Sequence, residues 1–170
     1  SSPESKASEI ESAIKHHITV NLDEDPEYYK SLSLRLKEII EQTNGKWEQQ
    51  VQLLLQLRDG LETEREQAAE ELGLSDTEFS FYNILMSELA PEDDTMIAES
   101  QHTQVKAITQ GLVSLFEEAT HIVDFFAKPD EVKRLRKAVK RTLIEHHMDD
   151  RAVINSVQDR FLELARKKFG

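Results

Sequence analysis

The sequence predicts an all-α fold of about seven amphipathic helices. Three observations carry that reading. Apolar residues recur at three- and four-residue spacing through most of the chain. No window alternates apolar and polar residues convincingly, the nearest being the short Ile18-Thr19-Val20-Asn21-Leu22. Five Gly and four Pro in 170 residues supply few of the turn signals that an all-β sandwich or barrel needs. At roughly 100–200 residues per domain, the length fits one domain or a piece of a longer chain.

The elements follow in order. Residues 1–8 are small and polar with one Pro and read as a linker or disordered start, leaving 9–170 as the helical domain. Ile10, Ala13, Ile14 and His17/Ile18 make the stripe of a first helix that ends near Asn21. Asp25-Pro26 reads as an N-cap followed by proline at the first helical position, where its missing N–H costs nothing. Tyr29, Leu32, Leu36, Ile39 and Ile40 follow on that second helix, which Asn44-Gly45 stops. A third begins near Lys46, carries Trp47, Val51, Leu54/Leu55 and Leu61, and runs as far as Leu72 if Gly60 is tolerated inside it.

Gly73 is a good C′ residue, and Ser75-Asp76-Thr77-Glu78 is a capping box ahead of Phe79, Tyr82, Leu85, Met86 and Leu89. Ala90-Pro91-Glu92-Asp93-Asp94 reads as a solvated break. One long helix or two fill 95–127, with the stripe Ile97, Val105, Ile108, Leu112, Leu115/Phe116, Ile122, Val123, Phe125 and Phe126. Lys128-Pro129-Asp130 is a boundary before a basic helix with Val132, Leu135, Val139, Leu143 and Ile144 inward. Asp149/Asp150 cap the last helix, where Val153, Val157, Phe161, Leu164 and Ala165 face in.

Charge is unevenly spread. The formal net charge is −12, from 21 basic and 33 acidic residues. Residues 1–127 hold 9 basic and 26 acidic side chains, whereas 128–170 hold 12 and 7. The acidic average disfavours a dedicated nucleic-acid binder, since phosphate affinity comes from Lys and Arg. No run of about 18 apolar residues suggests a membrane span. Ser1-Ser2-Pro3-Glu4-Ser5 has neither the basic nor the apolar region of a signal peptide, and the missing initiator Met fits a piece cut from a longer chain. With no Cys, disulfides, thiolate metal sites and a cysteine nucleophile are excluded.

Candidate chemistry is sparse. His16-His17 and His146-His147 invite a metal reading, but adjacent helical residues point about 100° apart and do not chelate one ion as an i, i+4 pair does. Asp23-Glu24-Asp25-Pro26-Glu27 lacks the Gly and the bidentate Glu of a calcium loop and fits a helix cap. Pro129-Asp130-Glu131-Val132-Lys133 carries the letters of a nuclease motif, yet its acids fall in the first turn of a helix and read as caps. There is no Gly-x-x-x-x-Gly-Lys-Ser/Thr, Gly-x-Gly-x-x-Gly or Gly-x-Ser-x-Gly run. No metal ligand and no catalytic residue is assigned.

One segment has functional weight. Lys133, Arg136, Lys137, Lys140 and Arg141 share the helix face opposite Leu135, Val139 and Leu143, with Arg134 beside them. Such a row could contact phosphates or an acidic partner surface.

The N-terminal half also carries a resemblance. Ala13-Ile14-x-His16-His17, then Asp23-Glu24-Asp25-Pro26-x-x-Tyr29, then Leu32-x-x-Arg35-Leu36 resemble the C-terminal region of the restriction (motor) subunit of type I restriction–modification enzymes. Asn44-Gly45-x-Trp47, Glu71-Leu72-Gly73-Leu74, Phe79-x-x-Tyr82 and Arg134-Leu135-Arg136-Lys137-Ala138-Val139-Lys140-Arg141 fit the same pattern. The likeness covers roughly residues 9–145, with 92–110 divergent.

It implies a helical domain without catalytic residues, in a bacterial cytoplasmic enzyme that translocates and cleaves unmethylated DNA. ATP and Mg2+ are implied only for upstream motor and nuclease parts of the parent subunit. The implied partners are those upstream domains, the modification (methyltransferase) subunit and, through it, the specificity subunit. Assembly on the modification subunit is the implied role, with Trp47, Tyr28, Tyr29, Tyr82, His16 and His17 as interface candidates. The alternative is an accessory DNA-backbone contact through the basic helix 130–145.

Overall fold

Local signals start and stop most of the helices. In a computed structural model that describes residues 2–89 and 99–170, the described residues form eight α-helices, one 3-10 turn and no strand. The helices are α1 (Pro3–Asn21), α2 (Pro26–Gln42), α3 (Trp47–Gly60), α4 (Glu64–Leu72), α5 (Asp76–Leu89), α6 (Glu99–Ala119), α7 (Pro129–Glu145) and α8 (Arg151–Phe169), with the 3-10 turn at Phe125–Ala127. The expected break at 90–94 and the stripe position Ile97 lie outside the described residues. The chain divides into two compact units, Ser1–Gly73 and Leu74–Gly170.

In the first unit, α1 begins at Pro3, where the sequence places a linker through residue 8. Ser2 Oγ accepts the Ser5 N–H at 3.1 Å, Pro3 occupies the first helical turn, and Ala7 is buried, so those residues are helix and core. Ile10, Ile14 and Ile18 continue the stripe and pack with Tyr29, Leu32 and Leu36 of α2 and Val51, Leu54 and Leu57 of α3. Ala13, expected inward, is exposed. Gly45 takes φ +79° to turn the chain between α2 and α3, a conformation that only Gly adopts at no steric cost. Behind it, buried Gln50 donates to Thr43 Oγ1 at 3.1 Å, and Thr43 donates to the Ile39 carbonyl at 2.6 Å.

A single helix from Lys46 to Leu72 is not what forms. The helix stops at Gly60, where a Cβ would lie 2.8 Å from Glu64 Oε1, and the chain turns before α4. The turn lets α4 reach α2. Asp25 has no exposed surface; its Oδ1 accepts the Tyr28 N–H at 3.2 Å, capping α2, and its Oδ2 accepts Arg65 Nε at 3.0 Å and Nη2 at 2.9 Å. The Arg65 guanidinium lies 5.9 Å from the Tyr28 ring centroid, within cation–π range.

In the second unit the capping box forms as the sequence predicts. Ser75 Oγ accepts the Glu78 N–H at 3.1 Å, and Glu78 Oε1 accepts the Ser75 N–H at 2.9 Å. Phe81 of α5, Phe116 of α6 and Phe161 of α8 meet at the centre, with Phe81 and Phe161 edge-on at 4.9 Å. The stripe of α6 holds through Val105, Ile108, Leu112 and Phe116 and then ends. Thr120 Oγ1 donates to the Phe116 carbonyl at 2.8 Å, and Asp124 takes φ 54°. That turn buries Phe125 but leaves Ile122 and Val123, expected inward, exposed.

Helix α7 buries Leu135, Val139 and Leu143 against α6 and α8 and leaves Ile144 exposed, another departure from the expected stripe. It closes in a Schellman motif: Met148 N–H donates to the Leu143 carbonyl at 3.0 Å and His147 N–H to the Ile144 carbonyl at 2.9 Å. His147 holds the left-handed position at φ 66°. Asp150 then caps α8 by accepting the N–H groups of Ala152 and Val153.

Two stability predictions follow from these contacts. Arg65→Met leaves the Asp25 carboxylate buried without its cation and should cost about 3–5 kcal/mol in urea unfolding. His147→Gly removes a side chain from a left-handed position and should stabilise by about 1 kcal/mol, read as a raised urea midpoint.

Candidate functional site

The interface candidates divide by burial. Tyr29 and Tyr82 are core residues rather than surface anchors. Tyr29 packs with the stripes of α1 and α3, edge-on to His17 at 5.9 Å and to Tyr28 at 5.1 Å. Tyr82 stacks on Phe79 at 6.3 Å, and its hydroxyl shares a 2.5 Å hydrogen bond with His102 Nδ1. Burial raises the Tyr82 phenol above the ordinary 10.0. Burial also raises Tyr28, helped by Glu64 and Tyr29 and opposed by Arg35 and Arg65.

Trp47 and Tyr28 are half-buried and pack on the first unit's core, so each keeps part of its ring at the surface. His16 is exposed and His17 half-buried on a groove shared with Val20, Arg58 and Glu62. The His17 Nε2 is buried with no hydrogen-bond partner among the described residues. His146 and His147 close α7, so their adjacency has a backbone explanation. Among the described residues, no three His, Asp or Glu side chains group closely enough to hold a metal ion.

The six basic candidates on α7 also divide. Arg134 donates to Glu131 one turn back at 3.2 Å. Arg136 leans toward α8, pairing with Asp159 at 2.8 Å and donating to Gln158 Oε1 at 3.3 Å, while Gln158 Nε2 donates to the Arg136 carbonyl at 2.7 Å. Lys133, Lys137, Lys140 and Arg141 are exposed and make no ion pair with any described residue.

A surface that the stripe reading misses lies at the turn after α6. Ile122 is 37% and Val123 75% exposed. Beside them runs a groove lined by Thr120, Phe125, Phe126, Arg166 and Phe169, with the Arg166 guanidinium 5.3 Å from the Phe126 ring centroid. A signal was present in Ile122-Val123-Asp124-Phe125-Phe126: four apolar residues in five exceed what one helical stripe can bury.

The tyrosine assignments are open to alkaline titration. Tyr28 and Tyr82 should ionise above pH 10, read at 295 nm, while unfolded chain ionises near 10. Because the folded state holds those protons longer, stability to urea should fall as pH rises above 10 and be unaffected by these groups below it.

A family model described as type I restriction enzyme HindI endonuclease subunit-like, C-terminal, matches residues 2–165, a span that includes 92–110. No curated protein and no solved structure matches the chain.

Proposed function

This chain belongs to the family of C-terminal domains of HindI-like type I restriction endonuclease subunits, and from that membership we propose that it is a noncatalytic assembly domain. Its task is to dock the motor-bearing subunit onto the modification (methyltransferase) subunit, and through that subunit onto the specificity subunit, in the bacterial cytoplasm. Among the described residues no helix is long and apolar enough to cross a membrane.

The observation that carries the docking reading is the turn after α6. A 75%-exposed Val123 and its neighbour Ile122 stand beside a groove with two half-buried Phe rings and an Arg stacked on one of them. Apolar side chains held outside the core by a fixed turn are suited to insertion into a partner, and aromatic and Arg side chains are the types that dominate binding energy. Asp124 turns the chain there in the left-handed region, burying Phe125 while Ile122 and Val123 face outward. Trp47 and Tyr28 of the first unit offer smaller aromatic edges to the same class of partner.

ATP and Mg2+ are assigned to the upstream parts of the parent subunit. This chain has no phosphate-cradling Gly-rich run, and its described residues contain no metal-holding cluster.

The test is co-elution with the cognate modification subunit, followed by size exclusion with light scattering. The 170-residue chain should form a complex without DNA. Ile122→Asp with Val123→Asp should weaken that complex more than about tenfold with the helical signal unchanged. Equal affinity in the double variant would remove the turn as the docking site.

A further inference from the structure

We propose that the outer face of α7 is a binding site for the phosphate backbone of duplex DNA, with Lys133, Lys137, Lys140 and Arg141 as its contacts. The inference goes beyond the assembly role, which rests on a different part of the second unit. It starts from the cations that have no partner among the described residues. Of six basic residues on α7, Arg134 is held by Glu131 and Arg136 by Asp159 and Gln158. The other four are exposed and pair with no described residue. At about 100° per residue these four fall within a sector of about 100°, opposite Leu135, Val139 and Leu143. The row from Lys133 to Arg141 rises about 12 Å along the helix.

The chemistry of this face narrows its occupant. The apolar face that an amphipathic helix would insert into a membrane is, in α7, already buried against α6 and α8. A protein partner would be expected to find aromatic or buried Arg anchors. The face has none, and three of its four cations are Lys, a residue depleted at protein interfaces. Single-stranded nucleic acid is gripped by stacking its bases on aromatic rings, and α7 contains no aromatic residue.

What remains suits a regular polyanion read as charge alone. Duplex DNA carries one charge per about 1.7 Å of axis, so a row of about 12 Å runs beside about seven phosphates, ample for four contacts. The net charge of −12 opposes the approach of DNA from afar, but at 0.1 M salt the Debye length of about 10 Å confines that repulsion to nearby groups. The acids of α7 itself are Asp130, in the first turn, Glu131, spent on Arg134, and Glu145, at the last residue of the helix.

Fluorescence anisotropy with a labelled 20-base-pair duplex of arbitrary sequence tests this, using the 170-residue chain between 50 and 200 mM KCl. Four phosphate contacts predict a slope of log affinity against log salt of about −3.6, a loss of about 150-fold across that range. Lys137→Ala should reduce the slope to about −2.7, and Arg151→Ala, at an exposed position of α8 rather than on α7, should leave it unchanged. Reversing Lys133, Lys137, Lys140 and Arg141 to Glu should abolish binding at 50 mM, while far-UV circular dichroism shows the helices intact.

Absence of duplex binding by the unsubstituted chain at 50 mM overturns the proposal, as does a reversed variant that still binds. A reversed variant that loses the modification subunit while duplex binding persists overturns it in favour of an acidic protein surface. The Ile122→Asp/Val123→Asp chain should keep the full salt slope, so that the docking reading and this one fail separately.

Discussion

What the second unit shows to solvent is decided by which side of α7 it buries. Leu135, Val139 and Leu143 are the side chains of this helix that reach the core. Each fully buried residue of that kind is worth about 1.5–3 kcal/mol. A rotation of one residue, about 100°, would withdraw part of that burial and bring cations toward Phe116 and Phe161. The apolar stripe therefore fixes the outward direction of Lys133, Lys137, Lys140 and Arg141 without any contact of their own. Arg136 stands at the boundary between the two faces. It is spent on α8, where Asp159 takes its charge and Gln158 both accepts from its guanidinium and donates to its carbonyl.

The first unit solves a different problem, that of joining a short, weakly apolar helix to its neighbours. Helix α4 contributes Ala69 to the core and little else. It is tied to α2 by charge, through the exposed Arg35–Glu64 pair at 3.3 Å and the Asp25–Arg65 pair. The exposed pair is worth at most about 1 kcal/mol. The second differs because its carboxylate is fully buried and also caps α2. Its value lies less in net attraction than in the cost of every arrangement that separates the partners.

Elements with local causes were legible in the residues. Asp25-Pro26, Asn44-Gly45, Gly73 and the Ser75–Glu78 box begin or end helices where they should, because a cap is decided within four residues of chain. Breaks with distant causes were not. The turn after Gly60 answers to Asp25, forty residues from Arg65 along the chain. The turn after α6 answers to a Thr back-bond and to the burial of Phe125. The tyrosines show the same limit: Tyr29 and Tyr82 are the residue type that interfaces favour, and helical spacing does not tell a core ring from a surface one. Nor could composition separate Arg136 from Lys137, because the partners of Arg136 lie 22 and 23 positions away on α8. The family resemblance was legible through its motifs and agrees with the matched family, which extends it to residues 2–165.

The buried Asp25–Arg65 pair also constrains how sequences of this kind can drift. Losing Arg65 alone strands the Asp25 carboxylate where it has no exposed surface, whereas replacing both by apolar side chains of similar volume removes that cost and gives up the cap on α2. The path between those two states passes through an intermediate that folds poorly. Positions 25 and 65 should therefore be inherited together among related chains, as an acid with a guanidinium or as two apolar residues, with mixed pairs rare.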